Sequence, residues 1–304
     1  MVQKPARFII NPVAAGGATR RRWDRIRAQF GQLGYPWESI FTQGPGHAVV
    51  LARDAAREGC ELVVAVGGDG TLNEVVNGLL QSERGGQIRL GILSLGTGGD
   101  FIRSLSGPYS QTTAYKRLTS DSGLLVDVGE AEFYRQGETR RRFFINVAGL
   151  GFDAAVVERT SRRLKALGRS STYLLGLFTT LLSYRNKEVS LTVDGAKEQC
   201  IVNSVVVANG RYFGGGMFVA PTADITDGYF EVVVVGDMGK LELVRAVPSV
   251  YKGTHLSHPK VKSFRARSVE VHSQTQMLLQ ADGELLGEAP ARLTIRPKAL
   301  NLVV

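Results

Sequence analysis

Residues 62–80 limit the fold of this chain more than any other stretch. They open with Leu62–Val66, a short apolar run rich in β-branched residues, which is typical of a buried parallel strand. The glycine-rich string Gly67–Thr71 follows, and glycine lets the backbone turn sharply and lets a ligand approach it closely. From Leu72 to Leu80 the apolar residues recur at helical spacing. The stretch therefore predicts a strand, a glycine turn and a helix N-terminus, whose free N–H groups suit an anion.

Two polar side chains of this turn carry further predictions. Thr71 followed by Glu74 is the pattern of a capping box at the start of the helix. Bound phosphates would repel the carboxylate of Asp69. Its presence makes sense if a divalent cation lies between them, or if it accepts a proton from an attacking hydroxyl. The alternative is a tight turn in which Asp69 serves as a second helix cap.

The string Gly-Gly-Asp-Gly-Thr, with a strand before it and a helix after it, resembles the signature of the diacylglycerol kinase catalytic-domain family. That family includes sphingosine kinases, ceramide kinases and bacterial lipid kinases. The more distant NAD kinases carry the same string. Alone, therefore, the string indicates a nucleotide-dependent kinase rather than a lipid kinase.

Two other glycine loops follow predicted strands. The loop Asn11–Gly17 comes after Phe8–Ile10, and the loop at 96–100 comes after Arg89–Leu95. In the resembled family the first loop contacts ATP, and the other loop usually carries an Asn where this chain has Gly99. The resemblance implies nucleotide contacts at Asn11, Ala15, Gly16, Thr42, Gly67, Gly68, Asp69, Gly70, Thr71, Asn73 and Thr97.

Size and charge narrow the range of partners. A chain of 304 residues fits two domains of ordinary size. The net charge of +9 favours an acidic partner, such as nucleic acid, an anionic membrane surface or a phosphate-bearing substrate. No nucleic-acid-binding motif accompanies the basic clusters, so we expect no nucleic acid partner. Cys60 and Cys200 lie far apart without metal spacing, which suggests buried thiols in a reduced compartment.

The distribution of apolar residues bears on localisation. The N-terminus has no long apolar segment, so no signal peptide is expected. The longest uncharged hydrophobic stretch, 170–184, is shorter than the roughly 20 residues of a spanning helix. We therefore expect a cytoplasmic protein that associates with the membrane peripherally.

The chain divides into two parts by its secondary-structure pattern. Strands and helices alternate over residues 1–125, which predicts an α/β N-terminal domain built on a doubly wound parallel sheet. The nucleotide-binding glycine loops would lie at the carboxyl ends of its strands. Residues 126–290 are β-rich and predict a β-sandwich-like C-terminal domain for the lipid substrate. In the resembled family the last residues return to the first domain, which implies the same for a final strand at about 291–304. The strands of this β-rich part are predicted at Phe143–Val147, Glu188–Val193, Ile201–Ala208, Tyr229–Val235, Val269–His272, Met277–Gln280 and Leu293–Ile295.

Two helices are predicted within the β-rich part. Ala154–Leu167 carries basic residues, and Tyr173–Tyr184 is strongly apolar. Together they could lie on a lipid surface, with cations toward headgroups and apolar side chains toward acyl chains. The alternative is that they pack on the sandwich or in a homodimer interface.

Two Asp-Gly turns complete the candidate site. Asp227-Gly228 before a strand is common hairpin chemistry. In the resembled family, however, the loop holds a structural Mg²⁺, and the matching ligands are the Asp227 carboxylate and the backbone carbonyls of Asp224 and Tyr229. Oxygen-only ligation suits such a hard cation.

The second turn is Ala281-Asp282-Gly283-Glu284, where the alternative is again a simple two-residue turn. The family carries Asp-Gly-Glu here, and its acids are the candidates for the general base. A hydroxyl is a poor nucleophile until a carboxylate accepts its proton. We therefore expect Glu284 to be the base, with Asp282 and Asp69 as the next candidates.

The motifs together predict an ATP-dependent lipid kinase that moves the γ-phosphoryl of Mg·ATP onto a lipid hydroxyl. The resemblance implies ATP and Mg²⁺ as cofactors and a lipid at the membrane surface as partner, with its headgroup entering a cleft between the domains. Two other functions stay open: a soluble-substrate kinase of the NAD kinase type, and a non-catalytic protein that binds nucleotide or lipid.

Overall fold

The computed structural model describes residues 5–32, 36–95, 99–105, 117–118, 123–163 and 179–303. The chain divides by its internal contacts into two units. The first unit comprises Met1–Val128 together with Pro297–Val304, and the second comprises Gly129–Arg296.

The first unit is built on a parallel sheet. Its strands are β1 (Ala6–Ile10), β2 (Trp37–Phe41), β3 (Leu62–Gly67), β4 (Arg89–Ser94) and the end of β14 (Glu284–Val303). They stand in the order β14-β4-β3-β1-β2, and all neighbours run parallel. The helices between them are α1 (Ala18–Ile26), α2 (His47–Glu58), α3 (Asp69–Leu80) and α4 (Asp100–Ser104). The predicted α/β domain is confirmed.

Side chains pack on both faces of this sheet because they alternate along each strand. Phe8 packs on one face against Trp23 of α1 and against Phe30, with ring centroids 5.3 Å and 4.9 Å away. The intervening Ile9 and Val63 are fully buried on the other face. Helices α2 and α3, which pack on one another, contact β1 and β3. The doubly wound arrangement is thus confirmed.

The second unit is strand-rich, and nine of its described strand pairs are antiparallel. The strands are β5 (Gly123–Arg135, shared with the first unit), β6 (Glu138–Phe144), β7 (Val147–Gly151), β8 (Lys187–Val193), β9 (Ala196–Ala208), β10 (Phe230–Gly236), β11 (Val261–Ala266), β12 (Ser268–Ser273), β13 (Leu278–Ala281) and most of β14. The helices are α5 (Phe152–Arg163) and α6 (Lys240–Lys252). Phe144 and Phe230 stack in its core with ring centroids 5.6 Å apart. The predicted β-sandwich-like domain is confirmed.

The predicted capping box is wrong. Helix α3 begins at Asp69, and its N-cap, Gly68, makes no side-chain cap hydrogen bond. Glu74 instead accepts hydrogen bonds from the backbone N–H groups of Gly46 (2.9 Å) and Ala48 (3.1 Å), at the start of α2. The carboxylate satisfies orphan N–H groups of the neighbouring helix because α2 and α3 pack side by side.

Other element predictions need smaller corrections. The strand predicted at 143–147 is interrupted, since β6 ends at Phe144 and β7 begins at Val147. Helix α6 was not predicted at all. The first half of the helix predicted at 173–184 lies outside the described residues, which resume at 179 and are helical to 183. Among the described helices, none has the length and apolar content needed to span a bilayer.

Candidate active site

In the first unit, hydrogen bonds join the loops at the carboxyl ends of β1 and β3. The backbone N–H of Asn11 donates to the carbonyl of Val66 (2.9 Å). The Asn11 side chain donates from Nδ2 to Oγ1 of Thr71 (3.0 Å), and its Oδ1 accepts from the N–H of Val13 (3.2 Å). The first two glycine loops are therefore held at one edge of the sheet.

Asp69 joins the second loop to the start of α4. Its Oδ2 accepts from the N–H of Asp100 (2.9 Å), and its Oδ1 accepts from the N–H of Phe101 (3.4 Å). A Cβ at Gly99 would lie 3.2 Å from Oδ1 of Asp69, so the glycine at this position allows the close approach. The carboxylate caps a helix, but it is α4 rather than its own helix. The first two glycine loops and the start of α4 thus meet at this edge.

The glycines of the second loop differ in how much space surrounds the position where a Cβ would lie. A Cβ at Gly67 would lie 2.4 Å from Oγ1 of Thr71, so only glycine fits there. A Cβ at Gly68 or Gly70, in contrast, would meet no atom within 4 Å. The space beside the N-terminus of α3 is therefore open, and helix N-termini favour anions.

The other residues predicted to contact the nucleotide lie at several places in the first unit. Ala15 and Gly16 have left-handed backbones, with φ of 54° and 65°, and a Cβ at Gly16 would meet no atom within 4 Å. The N–H of Thr42 donates to the carbonyl of Ile10 (2.8 Å), which places Thr42 beside the end of β1. Asn73 is buried within α3, where its Oδ1 accepts from Nδ2 of Asn77 (3.2 Å). Thr97 lies outside the described residues.

In the second unit, Asp282 organises the segment between β6 and β7. Its carboxylate accepts three backbone hydrogen bonds, from Ile145 (2.9 Å), Asn146 (3.0 Å) and Val147 (3.0 Å). The backbone N–H of Asp282 returns a bond to the carbonyl of Val147 (2.9 Å). Asp282 adopts a left-handed φ of 48° in this turn. This geometry supports a positioning role for Asp282.

Glu284 lies two residues further on and is the more accessible carboxylate. Its side chain is 42% exposed, and Oε2 accepts from Nη2 of Arg142 at 3.0 Å. Arg142 is on β6, so a strand fixes the guanidinium that orients this carboxylate. Of the two acids in the turn, Glu284 has the better geometry for accepting a proton from a substrate.

Sequence analysis missed a buried acid that supports this turn. Asp153, in the first turn of α5, accepts from Nε2 of Gln280 at 2.9 Å, and Oε1 of Gln280 accepts from the N–H of Gly283 at 3.0 Å. Burial raises the pKa of Asp153 to about 6, against hydrogen bonds from Gln280 and Ser204 that lower it. Its other oxygen, Oδ1, has no hydrogen-bond partner in the described part of the chain.

Tyr184 adds a second buried polar group to this cluster. Burial, and then the charge of Asp153, raise the pKa of the Tyr184 hydroxyl. The hydroxyl has no hydrogen-bond partner among the described residues. The sequence signal for the cluster was an Asp two residues after the buried strand β7, where an apolar residue would ordinarily pack.

In the loop predicted to bind Mg²⁺, each aspartate accepts a hydrogen bond from a backbone N–H two residues further along the chain. Oδ1 of Asp224 accepts from the N–H of Thr226 (2.9 Å), and Oδ1 of Asp227 accepts from the N–H of Tyr229 (2.9 Å). The other oxygen of Asp227 is ion-paired with Arg265, which also lies over the Tyr229 ring.

In this arrangement the guanidinium of Arg265 neutralises the carboxylate that is predicted to bind the cation. No cluster of three or more His, Cys, Asp or Glu side chains suited to a metal is found in the described ranges. The assignment of Asp224, Asp227 and Tyr229 as metal ligands stays a prediction, and no reaction step is derived through that loop.

Comparisons with known proteins agree with this organisation. The family model "Diacylglycerol kinase catalytic domain" matches residues 5–131, and the model "YegS C-terminal NAD kinase beta sandwich-like domain" matches residues 146–304. A diacylglycerol kinase of Staphylococcus carnosus is 30% identical over 290 residues, which cover 95% of this chain and 92% of that protein. One from Staphylococcus haemolyticus is also 30% identical, over 95% of this chain and 85% of its own length.

Solved structures show the same fold. A diacylglycerol kinase from Bacillus anthracis matches with a TM-score of 0.73 and 20% identity, over 98% of this chain and 96% of that chain. Yeast NADH kinase in complex with NADH matches with a TM-score of 0.55 and 11% identity, over 98% and 82%. Sequence identities this low show a shared fold and nothing about function.

The parallel sheet with its joined glycine loops and the β-sandwich-like unit define a class of two-domain kinases that includes lipid kinases and NAD kinases. Within that class, the chain belongs to the diacylglycerol kinase catalytic-domain family. It is a lipid kinase in the general sense, that is, a phosphotransferase with an alcohol group as acceptor.

Proposed function

We propose that the protein transfers the γ-phosphoryl group of Mg·ATP to the hydroxyl of diacylglycerol or a closely related lipid. The observation that carries this proposal is the joining of two glycine loops and the start of α4 in the first unit. Asn11 bonds to Thr71, and Asp69 bonds to the N–H groups of Asp100 and Phe101. These bonds preorganise a helix N-terminus with open space beside Gly68 and Gly70, which suits a polyphosphate.

The acids have different roles in this proposal. Glu284 accepts the proton of the lipid hydroxyl while the hydroxyl oxygen bonds to the γ-phosphorus and the bond to the bridging oxygen breaks, which leaves ADP. Arg142 orients Glu284 through their 3.0 Å ion pair. Asp282 positions the turn, and Asp69 positions the loops. When bound with ATP, Mg²⁺ would supply charge neutralisation at the phosphates.

The choice of Glu284 as base is supported by its exposure and tested by substitution. Glu284→Gln keeps the size of the side chain but removes the proton acceptor, so we expect kcat to fall by roughly 100-fold or more with little change in KM for ATP. Glu198→Gln is the matched control, since Glu198 is a comparably exposed acid of the same unit in an ion pair with Lys262. A wild-type kcat for Glu284→Gln would remove it as the base.

The substrate is tested by supplying labelled ATP with separate lipids in detergent. Diacylglycerol, a sphingoid base and phosphatidylglycerol each offer a hydroxyl, and chromatography of the labelled product identifies the acceptor. We expect label in a diacylglycerol-derived product, as the names of the Staphylococcus relatives suggest. Label only in another lipid would change the proposed substrate.

A kinase of the NAD type is the second candidate, and its support is the fold shared with yeast NADH kinase. The same assay with NAD in place of lipid separates the two, because a lipid kinase leaves NAD unlabelled. Tight binding of ATP without labelling of any acceptor would instead indicate a non-catalytic binding protein.

A further inference from the structure

Helix α6 (Lys240–Lys252) lies on the surface with none of its residues fully buried. Three of its large apolar side chains are exposed: Leu241 by 73%, Val244 by 40% and Tyr251 by 46%. Pro248 is exposed as well. At about 100° per residue, these four positions fall within one narrow arc, so they form a continuous apolar stripe along the helix.

Basic side chains border this stripe. Lys240 lies at one edge, and Arg245 and Lys252 lie at the other, by the same helical spacing. The only acid of the helix, Glu242, lies outside the arc. Its Oε2 accepts from Nζ of Lys260 (2.8 Å) and from the N–H of Gly239 (3.1 Å). The outward side of α6 therefore presents apolar and cationic groups together.

An exposed leucine from another segment lies beside the start of the helix. Nζ of Lys240 donates to the carbonyl oxygen of Leu182, whose side chain is 72% exposed. Nδ2 of Asn186 donates to the carbonyl of Met238 (3.0 Å), which fastens the same segment to the turn before α6. Leu182 thus extends the apolar surface beyond the helix.

We propose that this surface docks on an anionic lipid bilayer. We call it the α6 face, and define it by Leu182, Leu241, Val244, Pro248 and Tyr251 with the flanking Lys240, Arg245 and Lys252. An apolar stripe flanked by cations is what an interfacial helix needs, because apolar side chains enter the acyl boundary while cations meet lipid phosphates. The net charge of +9 attracts the whole protein to the same surface.

A second copy of the chain fits the α6 face less well. Two such faces would oppose Lys240, Arg245 and Lys252 with identical cations, which costs free energy. A stripe of four side chains also falls short of the roughly 800 Å² per partner that a stable protein interface buries. The inference rests on the proposed function only in explaining why a lipid kinase would need the surface; docking itself requires no phosphoryl transfer.

Vesicle cosedimentation without ATP tests the proposal. The vesicles contain phosphatidylcholine alone or with about 30% phosphatidylglycerol, a fraction chosen to give a clearly anionic surface. We expect wild type to bind the anionic vesicles and to be released by salt. The double variant Leu241→Glu/Tyr251→Glu should bind at least about 10-fold more weakly. Ile201→Glu is the matched control, since Ile201 is a half-exposed apolar residue elsewhere in the same unit.

A second measurement does not depend on a disruptive substitution. Leu241→Trp places a fluorophore on the α6 face, and its emission should shift to shorter wavelength when anionic vesicles are added. Ile201→Trp should show no shift. Equal binding by wild type and the double variant, equal binding to neutral vesicles, or a dimer that the double variant abolishes would each overturn the proposal.

Activity assays separate this inference from the proposed function. The double variant should phosphorylate detergent-dispersed lipid at the wild-type rate but lipid in anionic vesicles several-fold more slowly. If wild type phosphorylates no lipid in either form, the proposed function fails, while the vesicle-binding result still decides whether the α6 face docks. A double variant with the wild-type rate on vesicles as well would contradict the docking role.

Discussion

The carboxylate oxygens of two candidate acids accept hydrogen bonds from backbone N–H groups of distant segments. Asp69 accepts from Asp100 and Phe101, and Asp282 accepts from three residues at 145–147. Hydrogen bonds to a charged acceptor are stronger than neutral ones, so such a carboxylate fixes the relative positions of two loops. Substitution at either residue should therefore displace loops that the proposed reaction needs.

Asp69→Ala tests this at the nucleotide loops. Without the carboxylate, the N–H groups of Asp100 and Phe101 lose their acceptor, and we expect phosphoryl transfer to fall by roughly 100-fold or more. Transfer from labelled ATP measures the loss, and circular dichroism checks that the fold remains. Asp54→Ala, which removes an exposed acid of α2, should keep wild-type transfer. Wild-type transfer by Asp69→Ala would show that the loops do not depend on Asp69.

Asp153 predicts a pH dependence of stability. Its pKa rises from 3.8 to about 6 on folding, so the folded state holds the proton more tightly than the unfolded state. Stability is therefore lost as pH rises through the window between these values, and above about pH 6 the full cost is roughly 3 kcal/mol. Asp153→Asn removes this titration.

The expected result is a gain in the free energy of unfolding that is larger at high pH. Relative to wild type, Asp153→Asn should gain about 2 kcal/mol more at about pH 7.5 than at about pH 4.5. Urea unfolding followed by circular dichroism at the two pH values measures this difference. A gain that is equal at both pH values would mean that Asp153 carries no raised pKa.

At the scale of elements, the sequence predicts the strand, turn and helix of residues 62–80 because their signals are local. A side chain that caps a helix can come from a distant part of the sequence, and the capping box predicted for α3 was wrong. Glu74 lies 28 residues from Gly46, whose N–H it accepts, so only the packing of α2 against α3 reveals the cap. Helix α6 escaped prediction because Pro248 lies within it, and proline in a helix interior removes a backbone bond.

Glu74→Ala tests the contribution of this cross-helix cap. The N–H groups of Gly46 and Ala48 lose a charged acceptor, so we expect the first unit to lose about 1–2 kcal/mol of unfolding free energy. Urea unfolding followed by tryptophan fluorescence reports on this unit, because Trp23 and Trp37, the only two tryptophans, both lie in it. Glu83→Ala, at an exposed turn, should change stability by less than about 0.5 kcal/mol. An equal effect of the two substitutions would contradict the cap.

For the molecule as a whole, long sequence separations limit what the sequence alone could predict. The turn that contains Asp282 bonds to residues more than 130 positions earlier, so motif order indicated a shared function but gave no hydrogen-bond partners. Asp153 lacks any motif that would mark it, because its link to Gly283 passes through the side chain of Gln280. Family resemblance supplied candidate residues, and the described contacts distinguish positioning acids from an accessible one.

The first unit also depends on the opposite end of the chain, since the end of β14 runs parallel to β4. Leu302 pairs with Leu90 in this ladder, and its side chain is fully buried. Leu302→Ala should therefore cost about 2–5 kcal/mol of unfolding free energy, because the cavity forms in a packed core. Urea unfolding followed by tryptophan fluorescence measures the loss. Leu125→Ala, at a half-exposed site of the same unit, should cost less than about 0.5 kcal/mol. If both variants unfold at the same urea concentration, the last residues of the chain are not part of the cooperative core of this unit.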